Sequence, residues 1–119
     1  MIQLNSNVSV IDNTGAKIAR CIKVLNKSCA SVGDIIVVSI RKVVPNKKVK
    51  AGEVHKALVV YTKKYTKRSN GSLLRLGKNA VVLLTAKGLP QATRILGSVP
   101  RELRAKEFSK VLSIAKKII

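Results

Sequence analysis

Lys17-Ile18-Ala19-Arg20-Cys21-Ile22-Lys23-Val24 sets basic residues among apolar ones, the alternation of a strand with one wet face. Before it, Val8-Ser9-Val10-Ile11 runs into Asp12-Asn13-Thr14-Gly15, whose short polar side chains and closing glycine fit a tight turn. After it, Ser31-Val32-Gly33-Asp34 is a second turn opening the apolar run Ile35-Ile36-Val37-Val38-Ser39-Ile40, which Pro45 closes. Ala57-Leu58-Val59-Val60-Tyr61-Thr62 and Ala80-Val81-Val82-Leu83-Leu84 are two further strands. Between them Asn70-Gly71 supplies the positive-φ pair of a type I′ hairpin, with arms Tyr65 to Arg68 and Leu73 to Leu76. These arms are short and basic, so the hairpin is expected to project from the body.

The period changes near the C-terminus. Pro100 suits a first helical turn, and Phe108, Val111, Leu112 and Ala115 fall on one helical stripe. The expected fold is therefore mainly β: a small closed five-stranded barrel with a projecting β-hairpin and one or two short C-terminal α-helices. The whole chain, 1–119, is expected to form a single domain, the barrel over about 1–97 and the helical part over about 98–119.

Composition bounds the function. Lys and Arg number 24 against five Asp and Glu, a formal net charge of +19, while 46% of residues are apolar. A chain that apolar folds, and a folded chain that basic implies a polyanionic partner to relieve its self-repulsion. No apolar run approaches the roughly 18 residues of a membrane span, and no basic start followed by an apolar stretch marks a secretory signal. Cys21 and Cys29 form no CxxC pair and read as reduced side chains rather than as a metal or redox site.

An enzyme needs positioned groups. The single His55 lies near Glu53 with no activated nucleophile, and reads more simply as a surface strand residue. The five acids are scattered, and neither dinucleotide nor P-loop glycine patterns occur. Catalysis, metal and cofactor all lack a motif. The basic residues, in contrast, cluster. Arg41, Lys47, Lys48 and Lys50 surround Pro45, while Lys63, Lys64, Lys67, Arg68 and Arg75 surround the hairpin turn. Arg94, Arg101, Arg104, Lys106 and Lys110 form a second group. One such run keeps a protein soluble, but two on loops with few acids favour phosphate contact. Three aromatics cannot tile a base-stacking platform, and no reading helix for a DNA groove is present. Backbone and shape recognition of folded RNA remains.

The residues also resemble a known family. Val10-Ile11-Asp12-Asn13-Thr14-Gly15-Ala16-Lys17, Val32-Gly33-Asp34-Ile35-Ile36, Lys56-Ala57-Leu58-Val59-Val60, Asn79-Ala80-Val81-Val82, Thr93-Arg94-Ile95 and Arg101-Glu102-Leu103-Arg104 stand in order. Together they resemble the universal large-subunit ribosomal protein family fourteen along the whole chain. The resemblance implies a barrel at the subunit-facing side of the large ribosomal subunit. It implies large-subunit rRNA, neighbouring large-subunit proteins and small-subunit rRNA, through intersubunit bridges, as partners, with no membrane. It also implies that Thr93, Arg94 and the last helix, with Arg101 and Arg104, form a surface similar to the docking site of a ribosome silencing factor. Leu76, Ala92, Leu96, Ser98 and the basic tail Lys116-Lys117-Ile118-Ile119 depart from the family pattern. With the excess of Lys over Arg, these departures suggest a divergent organellar member, in the mitochondrial matrix ahead of a plastid or a bacterium.

Overall fold

The alternating stretch forms its strand, and four others close around it. A computed structural model describes residues 2–25, 28–45, 49–62, 66–67, 73–74, 78–99 and 109–118. Strands β1 (Asn7–Val10), β2 (Ala16–Val24), β3 (Ile35–Val43) and β4 (Val54–Tyr61) follow in order. The two-residue strands β5 (Thr66–Lys67) and β6 (Leu73–Leu74) pair antiparallel with each other, and β7 (Ala80–Leu84) returns to the barrel. The barrel order is β1-β2-β3-β4-β7, closed by β1 lying parallel to β7, with Ser9 opposite Ala80 and Val10 opposite Val81. The other four junctions are antiparallel. Turn Asp12–Gly15 needs its glycine: Gly15 has φ of 102°, where a β-carbon is strained.

The alternation explains the lumen. On β3, Ile36, Val38 and Ile40 are buried and meet Ala19, Cys21, Ala57, Val59, Val81 and Leu83 inside the barrel. The long apolar runs have a different cause. On β4 and β7 the outward residues are buried too: Leu58, Val60, Ala80, Val82 and Leu84 pack beneath a second layer. That layer is β8 (Ile95–Val99), α1 (Ser109–Ser113) and β9 (Ala115–Ile118), contributing Ile95, Val99, Val111 and Leu112. A strand covered on both faces loses its alternation and becomes continuously apolar. The barrel thus has one dry wall, β7 with the second half of β4, and one wet wall over β2, β3 and the start of β4.

Three expectations change. Strands β8 and β9 pair parallel, Ile95 with Ala115 and Val99 with Ile118; β9 falls where the sequence suggests helix, and β8 straddles the expected end of the barrel part at about 97. Ala115 leaves the helical stripe because the main chain turns to sheet pairing at Ile114, whose carbonyl accepts the Ile95 N–H at 3.1 Å. Ser113 Oγ also donates to the Lys110 carbonyl at 2.7 Å, competing with helical bonding at that end. One short helix is present among the described residues. Finally, β2 does not alternate cleanly: its pairing with β3 is irregular near Lys17 and Ile22, and this leaves Ile22 exposed beside Lys23. Phe108, Pro100 and the Asn70-Gly71 turn lie outside the described residues.

Candidate nucleic-acid interface

Strand direction decides which loops can meet. The ends of β1, β3 and β7 and the starts of β2 and β4 share one mouth of the barrel. The turn Asp12–Gly15, the connection from β3 to β4 and the connection from β7 to β8 are therefore neighbours. The segment between β4 and β7, which carries the hairpin basic residues, is tethered at the opposite mouth.

The Asp12–Gly15 turn is the hub of the first mouth. Asp12 is buried and accepts three bonds: from Thr14 N–H at 3.2 Å, Thr14 O–H at 2.6 Å and Leu83 N–H at 3.0 Å. The last ties the turn to β7. Burial pushes the Asp12 carboxyl above the usual aspartate range, and the three donated bonds oppose that shift. On one side of the turn, Val44 N–H donates to Gly15 C=O at 2.8 Å and Val49 N–H to Thr14 C=O at 3.4 Å. Val49 is buried in the lumen cluster, so it plugs the basic loop onto the barrel. Lys50 is exposed directly after that plug. Its own N–H donates to Glu53 Oε1 at 2.6 Å, closing a turn in which Gly52 takes φ of 88°. Gly52 N–H then bonds to Ile40 C=O at 2.8 Å, beside the exposed Arg41.

On the other side, Asn13 holds the connection to β8. Its Oδ1 accepts Thr93 N–H at 3.2 Å and Arg94 N–H at 3.3 Å, while Nδ2 donates to Thr93 Oγ1 at 3.0 Å. Asn13 N–H donates to Arg94 C=O at 3.2 Å. Thr93 and Arg94 are both exposed. A hollow of about 290 Å³ lies alongside, lined by Val10, Ala16, Val44 and the exposed Leu96 among others.

Of the residues expected to touch RNA, Arg41 and Lys50 come together at the first mouth, with Thr93 and Arg94 across the Asp12–Gly15 turn. Lys67 belongs to β5, tethered at the opposite mouth. Lys47, Lys48, Lys63, Lys64, Arg68, Arg75, Arg101 and Arg104 lie outside the described residues. The sequence reading missed the wet wall itself. Strands β2, β3 and β4 carry Lys17, Arg20, Lys23, Arg41, Lys42 and Lys56 and no acid. Isolated charges within strands form no run; the signal was the β2 alternation together with the absence of Asp and Glu.

His55 sits at the first mouth without a catalytic neighbourhood. Its Nδ1 is 3.0 Å from Gln91 Nε2, and its Nε2 is 3.7 Å from Glu53 Oε2. Among the described residues no group of three His, Cys, Asp or Glu could hold a metal ion, and no helix is long and apolar enough to cross a membrane. Cys21 and Cys29 are free thiols; Cys21 is buried in the lumen, which pushes its thiol upward.

The described residues thus form a five-stranded barrel whose β2, β3 and β4 carry six basic residues and no acid. The family model for ribosomal protein L14p/L23e matches residues 1–119. The chain belongs to the L14p/L23e family. It is a structural protein of the large ribosomal subunit, at work in the ribosome among rRNA and ribosomal proteins, and the L14p/L23e family is not one of enzymes. In L14p/L23e terms, the sheet-bound hub at Asp12–Gly15 is the piece that lets a small barrel present exposed basic residues from separate loops in fixed relation.

Proposed function

We propose that this L14p/L23e chain binds large-subunit rRNA by phosphate contacts at both barrel mouths, and that it lies at the subunit interface. Arg41 and Lys50 act at the first mouth and Lys67 on the segment tethered at the other; Lys47, Lys48, Lys63, Lys64, Arg68 and Arg75 are the further rRNA contacts. Thr93, Arg94, Arg101 and Arg104 form the surface that bridges to small-subunit rRNA or receives a silencing factor. The chain acts as one domain, in a mitochondrial ribosome ahead of a plastid or bacterial one.

The observation that carries this reading is the convergence of two loops on one turn. Val49 and Asn13 anchor the Lys50 and Thr93–Arg94 segments to Asp12–Gly15 from opposite sides. Side chains held by buried or hydrogen-bonded neighbours lose little further entropy on binding. Phosphate contacts release counterions, so the logarithm of affinity falls linearly with the logarithm of salt, by several units for several contacts. Titrating an rRNA fragment with the protein at increasing salt tests this, and a slope near zero contradicts phosphate binding. Replacing Lys47, Lys48 and Lys50 with Ala is expected to weaken binding while circular dichroism stays native; unfolding would make those lysines structural. A free-standing RNA regulator, the rival reading, would leave large subunits during a high-salt wash. Cosedimentation with the washed subunit is the expected result.

A further inference from the structure

Between the two mouths the wet wall is shaped as well as charged. Lys23 on β2 stands opposite Val37 on β3, and Val37 stands opposite Lys56 on β4. In the next row Arg20 faces Ser39, and Ser39 faces Val54. The outward side chains of the middle strand, Val37 and Ser39, are short and half-buried, while Lys23 and Lys56 are exposed on either side. The result is a shallow trough along β3, its lysine-bearing walls two strand spacings apart, roughly 10 Å. The open stretch runs from Val37 to Arg41, roughly 13 Å along β3. Its upper end is Arg41, beside the Lys50 turn; its lower end closes where Ile35, opposite the buried Leu58, packs against the second layer. Arg20 is partly fixed already, since its Nε is shielded from solvent without a hydrogen-bond partner.

We infer that the trough is an rRNA backbone track: one strand of folded RNA lies along β3, its phosphates held from the two sides by Lys23 and Lys56 and further along by Arg20 and Arg41. The track extends the phosphate contacts of the first mouth down the barrel wall, and so it rests on the rRNA-binding reading above. Three features favour RNA backbone over another macromolecule. The three strands contain no acid to repel a phosphate or to pair with a basic protein. The wall lacks aromatic side chains on which unstacked bases would lie. Its cations stand on strands at regular spacing, which suits a repeating anion and gives no base-specific readout. The exposed Ile22 and Val54, 38% and 57% accessible, flank the lysines and suit the apolar faces of ribose.

Two measurements test it on the full chain. Binding of an rRNA fragment is titrated against salt for the wild type, Lys23→Gln/Lys56→Gln, Lys23→Arg/Lys56→Arg and Lys110→Gln. Lys110 is exposed on α1, in the layer over the dry wall. Each phosphate contact contributes about 0.7 to 0.9 to the slope, so the Gln pair is expected to lower it by roughly 1.4 to 1.8, and the Arg pair to restore it. An unchanged slope in the Gln pair, or an equal fall per substituted lysine with Lys110→Gln, overturns the track. A wild-type slope near zero would instead remove the rRNA reading as a whole. Second, large subunits are assembled with a photo-crosslinking residue in place of Val54. Crosslinking to rRNA is expected; crosslinking only to protein, or none, overturns the track and assigns the wall elsewhere.

Discussion

Asn13 and Thr93, eighty residues apart, are joined by two hydrogen bonds that run in opposite senses: Asn13 Nδ2 donates to Thr93 Oγ1, and Thr93 N–H donates to Asn13 Oδ1. A third, from Arg94 N–H to the same oxygen, extends the grip. These bonds are solvent-exposed, so their net worth to stability is small, about 1 kcal/mol. Their worth to geometry is larger. Asn13→Ala is expected to leave the unfolding midpoint nearly unchanged while amide exchange at Thr93 and Arg94 speeds up and exchange in β3 does not. Uniform acceleration across the barrel would mean that Asn13 supports the fold as a whole.

Asp12 should behave oppositely. Removing it strands a buried Leu83 N–H and the Thr14 hydroxyl, and each stranded buried group costs about 1 to 3 kcal/mol. Asp12→Ala is therefore expected to lower stability by about 3 kcal/mol, read from urea unfolding. A loss below 1 kcal/mol would mean that water replaces the carboxylate.

The same carboxyl imposes a pH dependence. Its native pKa lies above the unfolded one, so the native state holds that proton more tightly. Its contribution is then fullest below the unfolded value, declines as pH rises through the raised native value, and is level above it. The stability of wild type minus that of Asp12→Asn should fall across that acid window and be flat at neutral pH. A difference that rises with pH would show that the hydrogen bonds outweigh burial.

Leu58 points out of the barrel yet is fully buried, and Leu83 points in. Leu58→Ala and Leu83→Ala are expected to cost alike, about 2 to 5 kcal/mol each, because both leave cavities in packed layers. Chemical denaturation of the two variants decides. A cost near zero for Leu58→Ala would mean that the outer layer is not seated on β4.

His55 has a defined proton position. Gln91 Nε2 donates to Leu84 C=O at 2.7 Å, which fixes the amide orientation, and the same nitrogen faces His55 Nδ1. Nδ1 must then accept, leaving the proton of neutral His55 on Nε2, towards Glu53. Nitrogen chemical shifts of the imidazole should report the Nε2–H tautomer at neutral pH; an Nδ1–H signature would reverse the assignment.

The barrel strands were legible because each carries a local signal: alternation on β2, and apolar runs bounded by turn residues on β3, β4 and β7. Even the dry wall was written in the continuous runs Leu58 to Tyr61 and Ala80 to Leu84, although what covers it was not. β8 and β9 escaped because Gly97 interrupts one, Lys116 and Lys117 sit in the other, and their parallel pairing joins residues about twenty apart. In the candidate site, the loops bearing Lys50 and Arg94 could be named from charge. Their common anchorage on Asp12–Gly15 could not, since Asn13 gives no sign of Thr93 until the chain is folded.

The parallel junction between β1 and β7 has a consequence for synthesis. The first strand has no closing neighbour until residues 80–84 have been made, so the barrel stays an open sheet through most of translation. Long-range closures of this kind are slow and leave apolar edges exposed meanwhile. Leu58, Val60, Val82 and Leu84 wait longer still, because their cover, residues 95–99 and 109–118, follows β7 in the chain. A nascent chain halted just after Leu84 would display that sticky wall to its surroundings, and synthesis of the outer layer is what hides it.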